Sequence, residues 1–461
     1  MDRKSFIRNL ALLGISPSAI SSVFADSSKG QKREKFTPSA VIFKVGKPKI
    51  KVSLPEKYSG SKGNLSVSVM CGDGAWDESS GRFGWARDYP VEFSRSDGEI
   101  TAELEMQNEC RYTLIIKDRD IKTGKGKKDR YADVVAVIPL YALSEDIYGL
   151  RPFKGDSHIH STNSDGRDSP ENVALRCYEV GCDYQAISDH KIYATSEDVK
   201  QKFSAFPTSM SFFNAEECHH SYAHIQNFGA SRSITEYING HKSEFESAVS
   251  KAAAELPSDL PKKLRQTVAE AEAEFDIIRK FGGIAVFNHP FWEASVKKGK
   301  FTYLNKSVID LISKRKKFDA YEIVNSGCGD IALSLAICSY SKLCPEKPVI
   351  GCSDAHSVKD QGSGYTVVFA KSPDFSDIKK SILSGKSVAV YSYPSNNIAI
   401  GDERLVRFCY FLFDEYFPVH DKLVKKEGAL IRKALKDGLT DFNEIGKVAK
   451  KIESLYESML G

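Results

Sequence analysis

The stretch Phe153-Lys-Gly-Asp-Ser-His-Ile-His-Ser-Thr-Asn-Ser-Asp-Gly166 decides how the chain is read. His158 and His160 stand one residue apart, and Asp165 follows in a glycine-containing turn. Side chains alternate along a strand, so both imidazoles leave the same face. Two imidazoles and a carboxylate on one side suit a divalent ion of the zinc, manganese or iron type. An H-x-H standing alone reads as a surface feature. This one is followed by Ser188-Asp-His190, Ala215-Glu-Glu-Cys218, Ala223-His224, Phe287-Asn-His-Pro290 and Gly351-Cys-Ser-Asp-Ala-His356. Each sets a histidine or carboxylate just after an apolar run of strand length.

That ordered set resembles the polymerase-and-histidinol-phosphatase (PHP) family of metal-dependent phosphoesterases, from about Gly149 to Ser392. The resemblance implies an α/β fold, a distorted (β/α)7-type barrel with a trinuclear metal centre at one mouth. Carried over residue by residue, its ligands are His158, His160, Asp165, His190, Glu217, His224, His289, Asp354 and His356. Within Glu216-Glu217 the family's glutamate is usually followed by a small apolar residue, a role Cys218 fills, which selects Glu217. The resemblance gives His158, His160, Glu217 and Asp354 to one metal. It gives Glu217, His224 and His289 to a second, and Asp165, His190 and His356 to the third. Glu217, Asp165 and His190 carry the catalytic weight in this reading. Zn, Mn or Fe fit a donor set without thiolates. Closely spaced ions lower the pKa of a shared water, and the resulting hydroxide attacks phosphorus in line. Arg167, Lys191 and Arg232 lie near ligands in sequence and are candidates for phosphate contact; each reads equally well as a surface charge. His219 and His220 fall outside the family set and read as residues that support the ligands or lie at the surface, and Glu322, in Tyr321-Glu-Ile-Val324, reads as a barrel residue and not a ligand.

A chain of 461 residues has room for two or three domains. Its net charge of +4 is too small, at this length, to argue for a nucleic-acid partner. No run approaches the roughly eighteen apolar residues of a membrane-spanning helix. Arg3, Lys4 and Arg8 precede an apolar stretch from Leu10 to Ile20, and Val23-Phe-Ala25 offers a cleavage site. This predicts a signal peptide over residues 1–25 and an exported, soluble mature protein, with Arg3-Lys4-Ser-Phe-Ile resembling a twin-arginine signal. An amphipathic first helix is the competing reading. No cysteine follows the stretch to carry a lipid anchor. Export permits disulfides, and of the ten cysteines Cys71 and Cys110 are the pair expected to be bridged. Cys177, Cys182, Cys218, Cys338 and Cys352 sit in apolar patterns and read as core thiols.

Residues 36–145 read as an all-β sandwich. Ile50, Val52 and Leu54, and then Leu65, Val67 and Val69, alternate with polar residues, and no helical stretch intervenes. Trp76 and Trp85 lie in a Gly- and Asp-rich connection, read as loop packing or as a substrate-contacting loop. The lysine-rich run ending at Lys128 reads as a solvated hairpin tip. The barrel is expected over 150–400. Ser169 and Pro170 start its first helix, and Gly181 stops it. Ser233 to Lys280 reads as two helices joined near Pro257-Ser-Asp-Leu-Pro261 and covering one rim. Residues 401–461 form a helical extension of two or three helices.

Three functions compete. The leading one is an exported phosphoesterase acting on a small phosphomonoester or phosphodiester. The second is a metal-dependent hydrolase of a carbon centre, amidohydrolase-like, which also uses H-x-H on a barrel strand. The third is a non-catalytic glycan- or partner-binding module, which loss of ligands would favour.

Overall fold

The computed structural model describes residues 35–461, except 61, 74, 78–81, 85–88, 97, 125–130, 297–298 and 394–395. The signal pattern of residues 1–25, Trp85 and the lysine-rich tip at 125–130 lie outside the described residues. The chain divides into two compact units. One takes in the described residues up to Gly149 together with Arg407–His420 and Glu453–Gly461; the other is Leu150–Val406 with Asp421–Ile452. Residues 401–461 are therefore shared between the units.

The first unit holds two sheets. Thr37–Pro38, Lys49–Ser53, Glu99–Glu103 and Phe93–Ser96 form an antiparallel sheet in that order. Ile42–Lys44, Val134–Leu143, Arg111–Asp118, Leu65–Cys71 and Tyr89–Val91 form the second. Strict alternation in Arg111–Asp118 buries Tyr112, Leu114 and Ile116 and leaves Arg111, Thr113 and Ile115 partly exposed, the pattern of a strand with one face on a core. Phe408 and Phe411 of the helix Glu403–Glu415 close on Tyr141, with ring centroids 4.9 and 5.3 Å away. The last residues return to an edge of the second sheet, where Gly461 N–H donates to the Ile42 carbonyl. Cys71 and Cys110 face each other with Sγ atoms 3.5 Å apart. They are free thiols here, in contact but not in the expected bridge.

The second unit also holds two large sheets. Ser211–Phe212, Tyr184–Gln185, Arg151–Asp156, Gly364–Ala370, Ser387–Tyr393 and Asn396–Gly401 make a six-stranded one. Ala215–Cys218, Ile225–Phe228, Ile284–Phe287, Ala320–Asn325 and Val349–Cys352 make a five-stranded one. Parallel and antiparallel pairs are mixed: Arg151–Asp156 runs parallel to Tyr184–Gln185 and antiparallel to Gly364–Ala370. The runs Ile-Ala-Val-Phe287 and Val-Ile-Gly-Cys352 are buried along their whole length, as strands covered on both faces must be. Two isolated parallel bridges, Ile159 with Ala355 and His190 with Glu217, pair segments beyond the regular strands.

Helix signals hold locally. Ser169 caps Pro170–Glu179 by accepting from Asn172 N–H, and Gly181 just beyond adopts φ +80°. Between Ser233 and Lys280 the structure has three helices, not two: Ile234–Gly240, Lys242–Ala254 and Lys262–Lys280. The extra break falls at His241, whose backbone (φ −130°, ψ 47°) leaves the helical region. Val268, Ala271, Phe275 and Ile278 of the long helix join one apolar core with Ile225 and Phe287. No described helix is long and apolar enough to cross a membrane.

The strand that delivers the H-x-H depends on a glycine. A Cβ at Gly155 would stand 2.3 Å from the ring of buried Tyr184 on the neighbouring strand. Gly155→Ala is therefore expected to lower stability by about 1–3 kcal/mol through overpacking. Denaturant unfolding of metal-free protein measures this, and an unchanged midpoint would contradict the close approach.

Candidate metal centre

Beyond Asp156 the chain stays extended, and hydrogen bonds fix it on both sides. His160 N–H donates to the Ala355 carbonyl, and Asp354 N–H to the His158 carbonyl. The Asp156 carboxylate accepts from His158 N–H and Ser353 N–H. Asp189 accepts from Ser161 N–H at 2.7 Å and from the Ser164 hydroxyl at 2.6 Å, which holds the turn carrying Asp165. Asp354 itself lies at φ 51°, in the left-handed region that costs a non-glycine residue free energy. Side-chain chemistry, not backbone preference, accounts for an aspartate there.

The structure brings all nine sequence-named ligands into overlapping groups. His158 Nε2 lies 3.4 Å from both Glu217 Oε2 and Asp354 Oδ1. His160 Nε2 lies 3.5 and 3.1 Å from the same two oxygens. None of these four atoms has a hydrogen-bond partner, although all are buried. Buried polar atoms without partners are costly. Donors about 2.0–2.1 Å from one tetrahedral ion stand roughly 3.4 Å apart, so the set fits a cation in both chemistry and spacing. The other oxygen, Glu217 Oε1, is 3.0 Å from His224 Nδ1 and from His289 Nε2. A third group opens to solvent. Asp165 Oδ2 lies 3.4 Å from His190 Nε2 and 3.3 Å from His356 Nε2, with the Asp165 side chain 54% and that of His356 40% exposed.

Charge follows this layout. Burial alone would strip the proton from His158, yet the carboxylates of Asp354, Glu322 and Glu217 outweigh it and raise its pKa well above the ordinary range. Burial opposes charge on Glu217 too, but His158 and its neighbours hold that carboxyl well below its usual value. His160 is pushed down by burial, and His224 down to about 4. The carboxylates thus pull on any cation at this spot, while His160 and His224 stay neutral, the form that donates to a metal.

Glu216 and Glu217 point to opposite sides of their strand. Glu216 accepts from the Ser233 hydroxyl at 3.1 Å and from Thr235 N–H at 3.3 Å, at the start of the helix Ile234–Gly240. Arg167 is exposed and joined to the centre through its backbone, its N–H donating to the His356 carbonyl at 2.8 Å. Lys191 is exposed, at φ 60°, and donates its N–H to the Glu217 carbonyl. Arg232 is engaged elsewhere: its guanidinium lies 5.1 Å from the ring centroids of both Tyr237 and Phe281. A charged fork stacked on two rings gains cation–π attraction there.

Two further side chains join the centre outside the nine. Glu322 Oε1 lies 2.8 Å from His158 Nδ1, and Oε2 accepts from His289 N–H at 2.7 Å. This carboxylate places the His158 proton on Nδ1 and turns Nε2 to the other donors. A lone carboxylate inside the apolar run Tyr321-Glu-Ile-Val324 was its signal. His219 Nε2 lies 2.8 Å from His190 Nδ1 and 3.7 Å from Glu217 Oε2. Its adjacency to the Glu-Glu-Cys segment was the only trace.

Several known proteins resemble parts of this chain. Residues 346–387, which include Asp354 and His356, match the family model described as PHP-associated. Over 105 residues the chain is 32% identical to the DNA polymerase/3'-5' exonuclease PolX of Bacillus subtilis (strain 168), covering 19% of this chain and 18% of that protein. It therefore spans less than a fifth of that relative's length. A two-domain protein from Bacteroides vulgatus containing a predicted PHP-like metal-dependent phosphoesterase is 18% identical, with 57% of this chain and 71% of that one covered at a TM-score of 0.40. An amidohydrolase from Chromobacterium violaceum, with bound sulfate and no metal, is 16% identical, with 45% and 89% covered at a TM-score of 0.31. Likenesses this remote do not reach as far as an activity. The donor set suits divalent metal ions, and the matched segment carries two of its residues. The chain is similar to PHP-domain proteins over residues 346–387 and over the stretch shared with PolX.

Glu217 divides its two oxygens between two groups, so it is the residue whose charge the centre can least lose. Glu217→Gln is expected to lower bound metal by at least one ion per chain, with folding retained. Glu216→Gln is expected to leave metal content unchanged and to weaken only the helix start, by about 1 kcal/mol. Elemental analysis of the two purified variants decides between them; the opposite pattern would place the ligand on Glu216.

Proposed function

We propose that this protein is an exported phosphoesterase that hydrolyses a small phosphomonoester or phosphodiester with three divalent ions, zinc, manganese or iron. The observation that carries the reading is the division of Glu217 between His158, His160 and Asp354 on one side and His224 and His289 on the other. A carboxylate shared in this way offsets repulsion between two neighbouring cations. Asp165, His190 and His356 would hold the third ion at the solvent-exposed end. Cys218 and Cys352 are buried close in sequence to ligands but join none of the donor groups, which favours borderline-to-hard ions.

The ions, when bound, supply a water acidic enough to react near neutral pH and neutralise phosphate oxygens. The chain's own residues do the rest. Glu322 fixes the His158 tautomer, and the Asp354 carbonyl 3.0 Å from His356 Nδ1 does the same for His356, leaving its Nε2 toward Asp165. Arg167 and Lys191, exposed beside His356 and Glu217, supply positive charge for the non-reacting phosphate oxygens.

The reading extends to the fold and its place in the cell. We take the two sheets of the second unit as a distorted (β/α)7-type barrel, supported by the bridges at Ile159 and His190, and those of the first as a β-sandwich. Export rests on the Arg3 to Ala25 pattern, and N-terminal sequencing of mature protein is expected to begin near Asp26.

Chelation is expected to abolish hydrolysis of phosphate esters, and one of Zn, Mn or Fe(II) to restore it with about three ions per chain. A restored protein that cleaves amides or lactones and no phosphate ester would overturn the substrate reading and keep the centre.

A further inference from the structure

We infer that the substrate carries a flat aromatic ring, seated on an aromatic wall that begins at the Glu217–His224–His289 side of the centre; this rests on the phosphate-ester reading. Trp292 follows the ligand His289 by three residues, and Tyr222 precedes the ligand His224 by two. The His224 ring lies 5.7 Å from Trp292 and 5.5 Å from Tyr303, and His289 lies 6.1 Å from Trp292. Trp292 and Tyr303 are 4.9 Å apart, and Tyr303 and Tyr222 are 6.1 Å apart and within 29° of parallel. Rings therefore continue without a gap from the metal-facing imidazoles outward. A small recess lined by His224, Asn288, His289, Trp292 and Tyr303 joins the two.

The outer rings are not core. Tyr222 is 56% and Tyr303 38% exposed, and Lys263 lies over the Tyr222 ring, 5.4 Å from its centroid. Adjacent exposed aromatics against a reactive centre mark a binding surface more than isolated ones do. The other end of the centre differs: the ring contacts of His160, His190 and His356 are with other histidines. A phosphate bound across the ions would thus direct its organic group toward His224, where stacking on tyrosine and tryptophan faces rewards a planar ring.

The test is calorimetric binding of three non-hydrolysable phosphonates to metal-loaded protein. Phenylphosphonate is expected to bind about tenfold more tightly than methylphosphonate, with cyclohexylphosphonate between them. The double variant Tyr222→Ala/Tyr303→Ala should bring the phenyl-to-methyl ratio within about twofold; should it fail to fold, Tyr222→Ala alone should lower the ratio at least threefold. Equal affinities for phenyl and methyl, or a ratio that survives the variants, would overturn the inference. Cyclohexyl binding as tightly as phenyl would also overturn it, since a merely apolar patch would then suffice. If no phosphonate binds, the phosphate reading fails and the inference falls with it.

Discussion

Two carboxylates, the buried Glu217 and the largely buried Asp354, sit among imidazoles that crowd them from several strands. Burying such charge is expensive unless it is matched. Here the matching groups are His158, His160, His224 and His289, none local to Glu217 or Asp354 on its own strand. Much of the surrounding architecture follows. Asp354 takes a strained backbone, Gly155 lets the H-x-H strand pass Tyr184, and Asp156 and Asp189 are spent on holding loops. Each is explained by the centre it serves.

The residues that converge at the centre were legible because the rule placing them is local. A buried strand must be apolar, and a site at strand ends must be polar, so most of these residues follow an apolar run at its point of change; Asp165 sits in a turn, and His224 precedes the strand Ile225–Phe228. The choice of Glu217 over Glu216 was likewise readable, since neighbours in a strand face opposite ways. What Glu216 does was not. Its partners at the start of the helix Ile234–Gly240 lie about seventeen residues on, and nothing in the spacing announces them.

Other features stayed hidden for the same reason. Glu322 lies 164 positions from His158, and a carboxylate supporting a histidine looks, in sequence, like any polar residue in a strand. Arg232 shows the reverse case. Proximity along the chain offered it to the phosphate, and nothing in the sequence announced the two aromatic rings its guanidinium stacks on. The break at His241 did have a local signal, the pair Asn239-Gly240 just before it, which the Ala-, Glu- and Lys-rich run that follows outweighed.

The division of the C-terminal residues bears on the order in which the molecule can be completed during synthesis. The first unit begins with the earliest described residues, yet Phe408 and Phe411 pack on Tyr141, and Gly461 pairs with Ile42. A ribosome that has made residues 35–149 has released most of those sheets but not their closing pieces. The second unit likewise waits for Asp421–Ile452, although the last of its ligands, His356, emerges far earlier. The metal-binding residues are thus all out of the ribosome while both units still lack chain. The part made first is finished last, so neither unit is a segment that gene fusion or truncation could pass on intact.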